Sequence, residues 1–331
     1  MLKKRHSFGG VLAGSIFSLI MFGLAAFLIL NRQYIYDQWN VWHYQPSSTI
    51  NTISQRAGLS DKGKFYLAAS DAVVEDAAQF NKDCVRQEAK NPILGCYTNS
   101  HIYIYNVTSS ELDGIEEVTA AHEMLHAAWD RLSSSEKTRI GNMLDAEYAK
   151  IATPELKARM DYYNRNEAGE RQNELHSILG TEFGNLTPAL ESYYSQYFTD
   201  RAKVVALHDK YESVFTQLTT QADTLYNQLI DLGKKITAKS AAYNADAAAL
   251  SAAIQDFNRR AQAGSFTSTA QFNSERAALL ARTAALEAER TSLNAQISSY
   301  NDMYAKYQAL TVRTQQLNNS IDSTVAPAPS L

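Results

Sequence analysis

The chain has 331 residues and a formal net charge of −4, with acidic and basic side chains interspersed. That length allows one sizeable core plus an accessory element. No basic face or aromatic-basic repeat is present, which excludes nucleic acid as a main partner.

Ser7 to Leu30 contains no charged residue over 24 positions. As a helix this run would be about 36 Å long, enough to cross a bilayer. A secretory leader is the alternative, but its apolar core would be shorter and would end in small residues rather than "FLIL". Lys3, Lys4 and Arg5 precede the run, and only Arg32, offset by Asp37, follows closely. This bias predicts a cytoplasmic N-terminus (1–6), a single membrane span (7–30) and an extracytoplasmic remainder at the cell membrane. Residues 31–60 form a juxtamembrane segment. Its "YIYDQWNVWHYQP" would either sit at the membrane interface or pack on the following domain. Cys84 and Cys96 would pair in an oxidising compartment, contributing about 3 kcal/mol, or remain two separate buried thiols.

Residues 61–200 show mixed signals. "KFYLAAS" (64–70) and "HIYIYNV" (101–107) read as strands, and "DAVVEDAAQFNK" (71–82) between them as a short helix. Ser and Asp in "TSSELDGIEEV" offer starting chemistry for the helix that follows. Ser133 and Glu136 form a capping-box pattern, and Thr153 with Pro154 marks another helix start. Beyond about residue 200 apolar residues recur with alternating three- and four-residue spacing. The pattern runs from Val204 to Phe257 and again from Leu279 to Ile321, interrupted by "AQAGSFTSTAQF" around Gly264. Two such arms, each about 80 Å long, predict an antiparallel coiled-coil hairpin over 201–322 with an arm that can meet a protein partner, followed by a disordered tail (323–331). The fold class expected is α+β, mostly helical.

"VTAAHEMLHAAWDRL" (118–132) holds the chemistry. His122 and His126, four apart on a helix, share a face and can reach one ion. Glu123 projects about 100° away and is placed beside the ion as a base. The ion lowers the pKa of a water, and the carboxylate takes its proton. Two satisfied buried histidines, or a structural zinc, are the plainer readings of the same residues.

In this motif the sequence resembles the zincin metallopeptidases, over roughly 101–182. The metzincin branch would have Gly and a third His where Trp129 and Leu132 stand, so that branch is excluded. The gluzincin branch takes its third ligand from an Asn-Glu-x-x-Ser-Asp pattern, and "NELHSI" matches at Asn173, Glu174 and Ser177. It departs at Ile178, where the family's aspartate would stand, leaving Asp130 or Glu182 to orient His122. The resemblance implies a zinc ion held by His122, His126 and Glu174, a zincin-like domain, and hydrolysis of a peptide or protein substrate. Glu182 and His176 are rival ligands. Tyrosines of "MDYYN" and "ESYYSQYF" are candidates for transition-state donors, and no spacing selects one. Two other functions fit: an anchored coiled-coil scaffold with a silent domain, or a zinc hydrolase of cell-wall peptides.

Overall fold

The computed structural model describes residues 8–84, 92–166 and 169–325. Among them the fold is α+β and mostly helical. It divides into two compact units, one comprising residues 1–214 and 317–331 and the other 215–316. The division falls inside the helix that begins at Arg201, not at its start.

The first unit opens with α1 (Phe8–Leu30) and α2 (Arg32–His43). No single helix among the described residues is long and apolar enough to cross a membrane. Ser15–Leu30 and α2 pass that test only together, as a pair bent by 69°. Then come α3 (Ser48–Arg56) and α4 (Asp61–Ala69), each started by a serine. Ser47 Oγ accepts from Ile50 N–H, and Ser60 Oγ from Gly63 N–H. The strand expected over 64–70 is therefore a helix. A short apolar run satisfies either period, and here the cap at Ser60 and burial of Leu67 and Ala69 decide.

The expected helix over 71–82 is divided. Val73–Glu75 is β1, and α5 (Ala77–Asp83) starts only after Asp76, whose carboxylate accepts from Ala78 and Gln79 N–H. β2 (Gly95–Thr98) and β3 (His101–Tyr105) complete one sheet of order β1-β3-β2. β1 runs parallel to β3, with Val73 opposite Tyr103; β2 runs antiparallel, with Cys96 opposite Tyr103 and Thr98 opposite His101. The alternating strand of the sequence is thus central, its Ile102 and Ile104 fully buried, and β2 is the edge. Cys84 and Cys96 form a disulfide, with Cα atoms 6.0 Å apart, that ties the end of α5 to this edge.

Behind the sheet lie α6 (Ile115–Asp130), α7 (Ser134–Ile151), α8 (Pro154–Asn166), α9 (Arg171–Glu182) and α10 (Pro188–Tyr194). The Ser133–Glu136 capping box forms, and Thr153 Oγ1 accepts from Leu156 N–H at the start of α8. The core gathers around α6 and α9, with Leu125, Met124, Leu175, Ile178 and Tyr194 fully buried.

α11 (Arg201–Gln262) continues into the second unit, and α12 (Thr269–Ile321) returns from it. Within 215–316, Tyr226 meets Tyr307, a Cβ at Gly233 would touch Tyr300, and Phe257 meets Phe272. As one number of each pair rises the other falls, so the two helices run in opposite directions. Gly264, at φ +63°, makes the turn. In the first unit Ser323, expected in a disordered tail, is buried and exchanges two hydrogen bonds of 2.7 Å with Asn81. Positions 326–331 of that tail lie outside the described residues.

Candidate metal centre

α6 starts on Gly114, not on Ser or Asp as the sequence predicts. Its φ is +108°, and a Cβ would stand 2.9 Å from Leu207 Cβ, so only glycine fits. Glu116 then reaches back to accept from Val107 N–H at 2.9 Å. From this start Ala120, Ala121, Leu125, Ala127 and Ala128 face the core, all fully buried. α9 crosses close by: a Cβ on Gly180 would lie 2.4 Å from Leu125 Cδ1. This approach brings the first turn of α9, with Glu174, against the histidines of α6.

There the three expected ligands converge. Glu174 Oε2 lies 3.6 Å from His122 Nε2, and Oε1 lies 3.5 Å from His126 Nε2. Ligand atoms about 2.1 Å from an ion at tetrahedral angles are about 3.4 Å apart, so these two separations match those around a zinc-sized ion. His126 Nδ1 donates to Asn173 Oδ1 at 2.9 Å, which leaves Nε2 bare, and Asn173 donates in turn to Glu170 at 2.8 Å.

His122, Glu123 and His126 also place ligand-type atoms within 4.8 Å of one another. Two observations separate the roles of the carboxylates. Burial alone would raise Glu174, but both imidazoles and a hydrogen bond from Tyr163 outweigh it and hold the carboxyl down at about 2, permanently charged. Burial raises Glu123, against the pull of His126, His122 and the Tyr97 N–H that donates to it. Glu174 is thus held ionised beside the imidazoles, whereas Glu123 is biased toward its protonated form. On His122 burial disfavours the proton, but the hydrogen bond to Glu174 and the nearby Glu123 charge outweigh it and raise the pKa.

The rivals are placed elsewhere. Both Glu182 oxygens accept from Arg159, at 2.6 and 2.8 Å. His176 is fully buried between Trp129, Tyr193 and Tyr194, its Nε2 2.9 Å from Tyr193 Oη. Asp130 faces solvent. Of the tyrosines left open, those of "ESYYSQYF" pack around His176 in the core, whereas Tyr163 of "MDYYN" lines the site and bonds Glu174.

The centre opens into a cleft of about 660 Å³ bounded by Gly95, Tyr97, Asn99, Tyr163 and Glu170. One wall is the outer edge of β2, which pairs with no further strand among the described residues. Tyr105 N–H bonds Leu94 O and Ile102 N–H turns to Ser70 O, so Gly95 and Tyr97 direct their backbone groups away from β3. The Tyr97 N–H meets Glu123. Gly95 lies so close that a Cβ would be 2.5 Å from Thr119 Cγ2 and 2.9 Å from Glu123 Cγ.

The sequence assigned no role to Gly95, Tyr97 or Asn173. Only Asn173 carried a signal, as the neighbour of Glu174 in "NELHS". No family model, curated protein or solved structure matches this chain.

Proposed function

We propose that the chain is a membrane-anchored, extracytoplasmic zinc peptidase with a zincin-like catalytic domain and an antiparallel coiled-coil arm. His122, His126 and Glu174 hold the zinc, and Glu123 is the general base. The observation that carries this reading is the convergence of the Nε2 atoms of His122 and His126 on one depressed carboxylate, at 3.6 and 3.5 Å, with a raised carboxyl beside them. When bound, the ion would acidify a water and polarise the scissile carbonyl.

The protein groups supply the rest. A peptide in extended form adds to the outer edge of β2, bonding the backbone groups of Gly95 and the carbonyl of Tyr97. Glu123 accepts the proton of the attacking water and passes it to the leaving amine. The Tyr97 N–H holds the carboxylate in place for this transfer. Tyr163 lines the cleft, and its hydroxyl donates to Glu174 and holds that carboxylate ionised.

The uncharged run 7–30 is taken as the anchor, with α2 bent away from its end, and the flanking charges favour an N-terminus inside. The disulfide between Cys84 and Cys96 supports placing the bulk of the chain in an oxidising compartment. The opposed run of α11 and α12 supports the hairpin, which either spaces the catalytic unit from a partner or binds one.

Glu123→Gln keeps size and removes basicity. Purified full-length variant and wild type should each retain about one zinc per chain by elemental analysis. Cleavage of a peptide library should fall by about two to four orders of magnitude. Equal cleavage rates would refute the assignment of Glu123, and full zinc retention in a His122→Ala, His126→Ala variant would refute the ligand set.

A further inference from the structure

α2 buries its polar side and exposes its apolar one. Asp37, only 3 % exposed, accepts from Arg131 Nε at 2.9 Å and Nη2 at 2.7 Å. Asn40 is buried beside it and donates to Ala69 O at 3.0 Å. On the opposite side stand Ile35, Trp39 and Trp42, spaced four and three residues apart and so on one face. They are 39, 58 and 78 % exposed. The two indoles meet edge to face at 5.9 Å, and His43 rests against Trp39 at 4.2 Å. Gln38 and Val41 complete this shallow surface, which holds no charged side chain. A helix packed on a water-soluble domain has the reverse pattern, and a contiguous exposed apolar patch marks a surface that meets another phase or molecule.

The occupant follows from what adjoins it. Asn31 alone separates α2 from α1, whose Phe17, Ile20, Phe22 and Leu30 are exposed, so two exposed apolar surfaces adjoin across Asn31 and Arg32. The 69° bend matters here: with α1 along a bilayer normal, α2 lies within about 20° of the membrane plane, the attitude of an interfacial helix. Trp and Tyr favour that depth, where one end of the ring is apolar and the other wet.

We propose that α2 lies in the headgroup region of a phospholipid bilayer, with Ile35, Trp39 and Trp42 turned toward the acyl chains. This rests on the reading of α1 as an anchor. The buried polar side then acts as a clamp. Asp37 grips Arg131 at the C-terminal end of α6, so the helix bearing His122 and His126 is docked against the membrane surface rather than tethered loosely above it.

The test uses full-length protein reconstituted in phosphatidylcholine vesicles with lipids brominated near the headgroup. The chain has three tryptophans, and Trp129 is buried in the core. Wild type should float with the vesicles and lose up to about two-thirds of its tryptophan emission to the brominated lipid, as two interfacial indoles of three require. Trp39→Ser with Trp42→Ser, at positions exposed on the fold, should float equally and show little quenching. A floating wild type whose emission is untouched by bromine but open to aqueous acrylamide would overturn the proposal. Shielding from both quenchers, with Trp39→Cys chains cross-linking to each other, would assign the face to a second copy and also overturn it. Failure to float would refute the anchor itself, and the interfacial helix with it.

Discussion

Asn173 accepts from His126 Nδ1 and donates to Glu170, so the imidazole offers only Nε2 to an ion. Removing such a support usually costs 10- to 100-fold in metal affinity. Asn173→Ala should therefore bind zinc about 10- to 100-fold more weakly in a chelator competition, while the circular dichroism of the chain is unchanged. His176 has the opposite kind of role, being neutral, buried and aromatic-packed. Burial, aided by the charges on His126 and His122, lowers its pKa from 6.5 to about 3. In the unfolded chain it protonates near 6.5, so below that pH the unfolded state binds the additional proton. Stability is then lost as pH falls toward about 3, by up to about 1.4 kcal/mol per unit. His176→Gln should flatten the decline of the melting temperature between pH 6.5 and 4 relative to wild type. An unchanged slope would mean that other groups set the acid limit.

At the scale of elements, β2 is held on three sides. The disulfide at Cys96 ties it to α5, Arg131 Nη1 donates to Tyr97 Oη at 3.4 Å, and Gly95 sits flush on α6. The strand is short, and these restraints replace the neighbour its outer edge lacks among the described residues. Gly95→Val would drive two methyl groups into Thr119 and Glu123. The strand must then lift off α6 and take the Tyr97 N–H away from the carboxylate. Displacements of about 1 Å near reacting groups cost on the order of 100-fold in rate. The expected outcome is a chain that keeps its zinc and loses about that factor in peptide cleavage. Normal activity would show that the edge of β2 does not position substrate.

For the molecule as a whole, every residue assigned to the centre belongs to the first unit, while 215–316 forms the second. Within the second unit Tyr226 and Tyr307 lie with ring centroids 6.2 Å apart, which supports the proposed pairing of the long helices within one chain. Closing a loop as short as 263–268 costs little entropy, which favours this pairing over association between chains. Cysteines at 226 and 307 should therefore be joined by a short thiol-reactive linker into a monomer of altered mobility. Dimers linked 226 to 226 would overturn the hairpin.

The grouping of His122, Glu123 and His126 on one helix was legible in the sequence because helical spacing is a local property. Two residues four apart share a face whatever surrounds them, and Glu174 was carried by its own short pattern. The long helices were legible for the same reason, as was the capping box at Ser133. Residues 64–70 and 71–82 were not, because a short apolar run obeys both periods and only its neighbours decide. Val73–Glu75 became a strand because β3 presented a free edge to pair with, and Asp61–Ala69 became a helix under a serine cap. The tertiary structure alone shows where the rival residues lie, Glu182 against Arg159 and His176 in an aromatic core. It alone brought Gly95, Tyr97 and Tyr163 to the cleft. Their roles depend on distances across elements far apart in the chain, and close packing sets those distances, which no local pattern encodes.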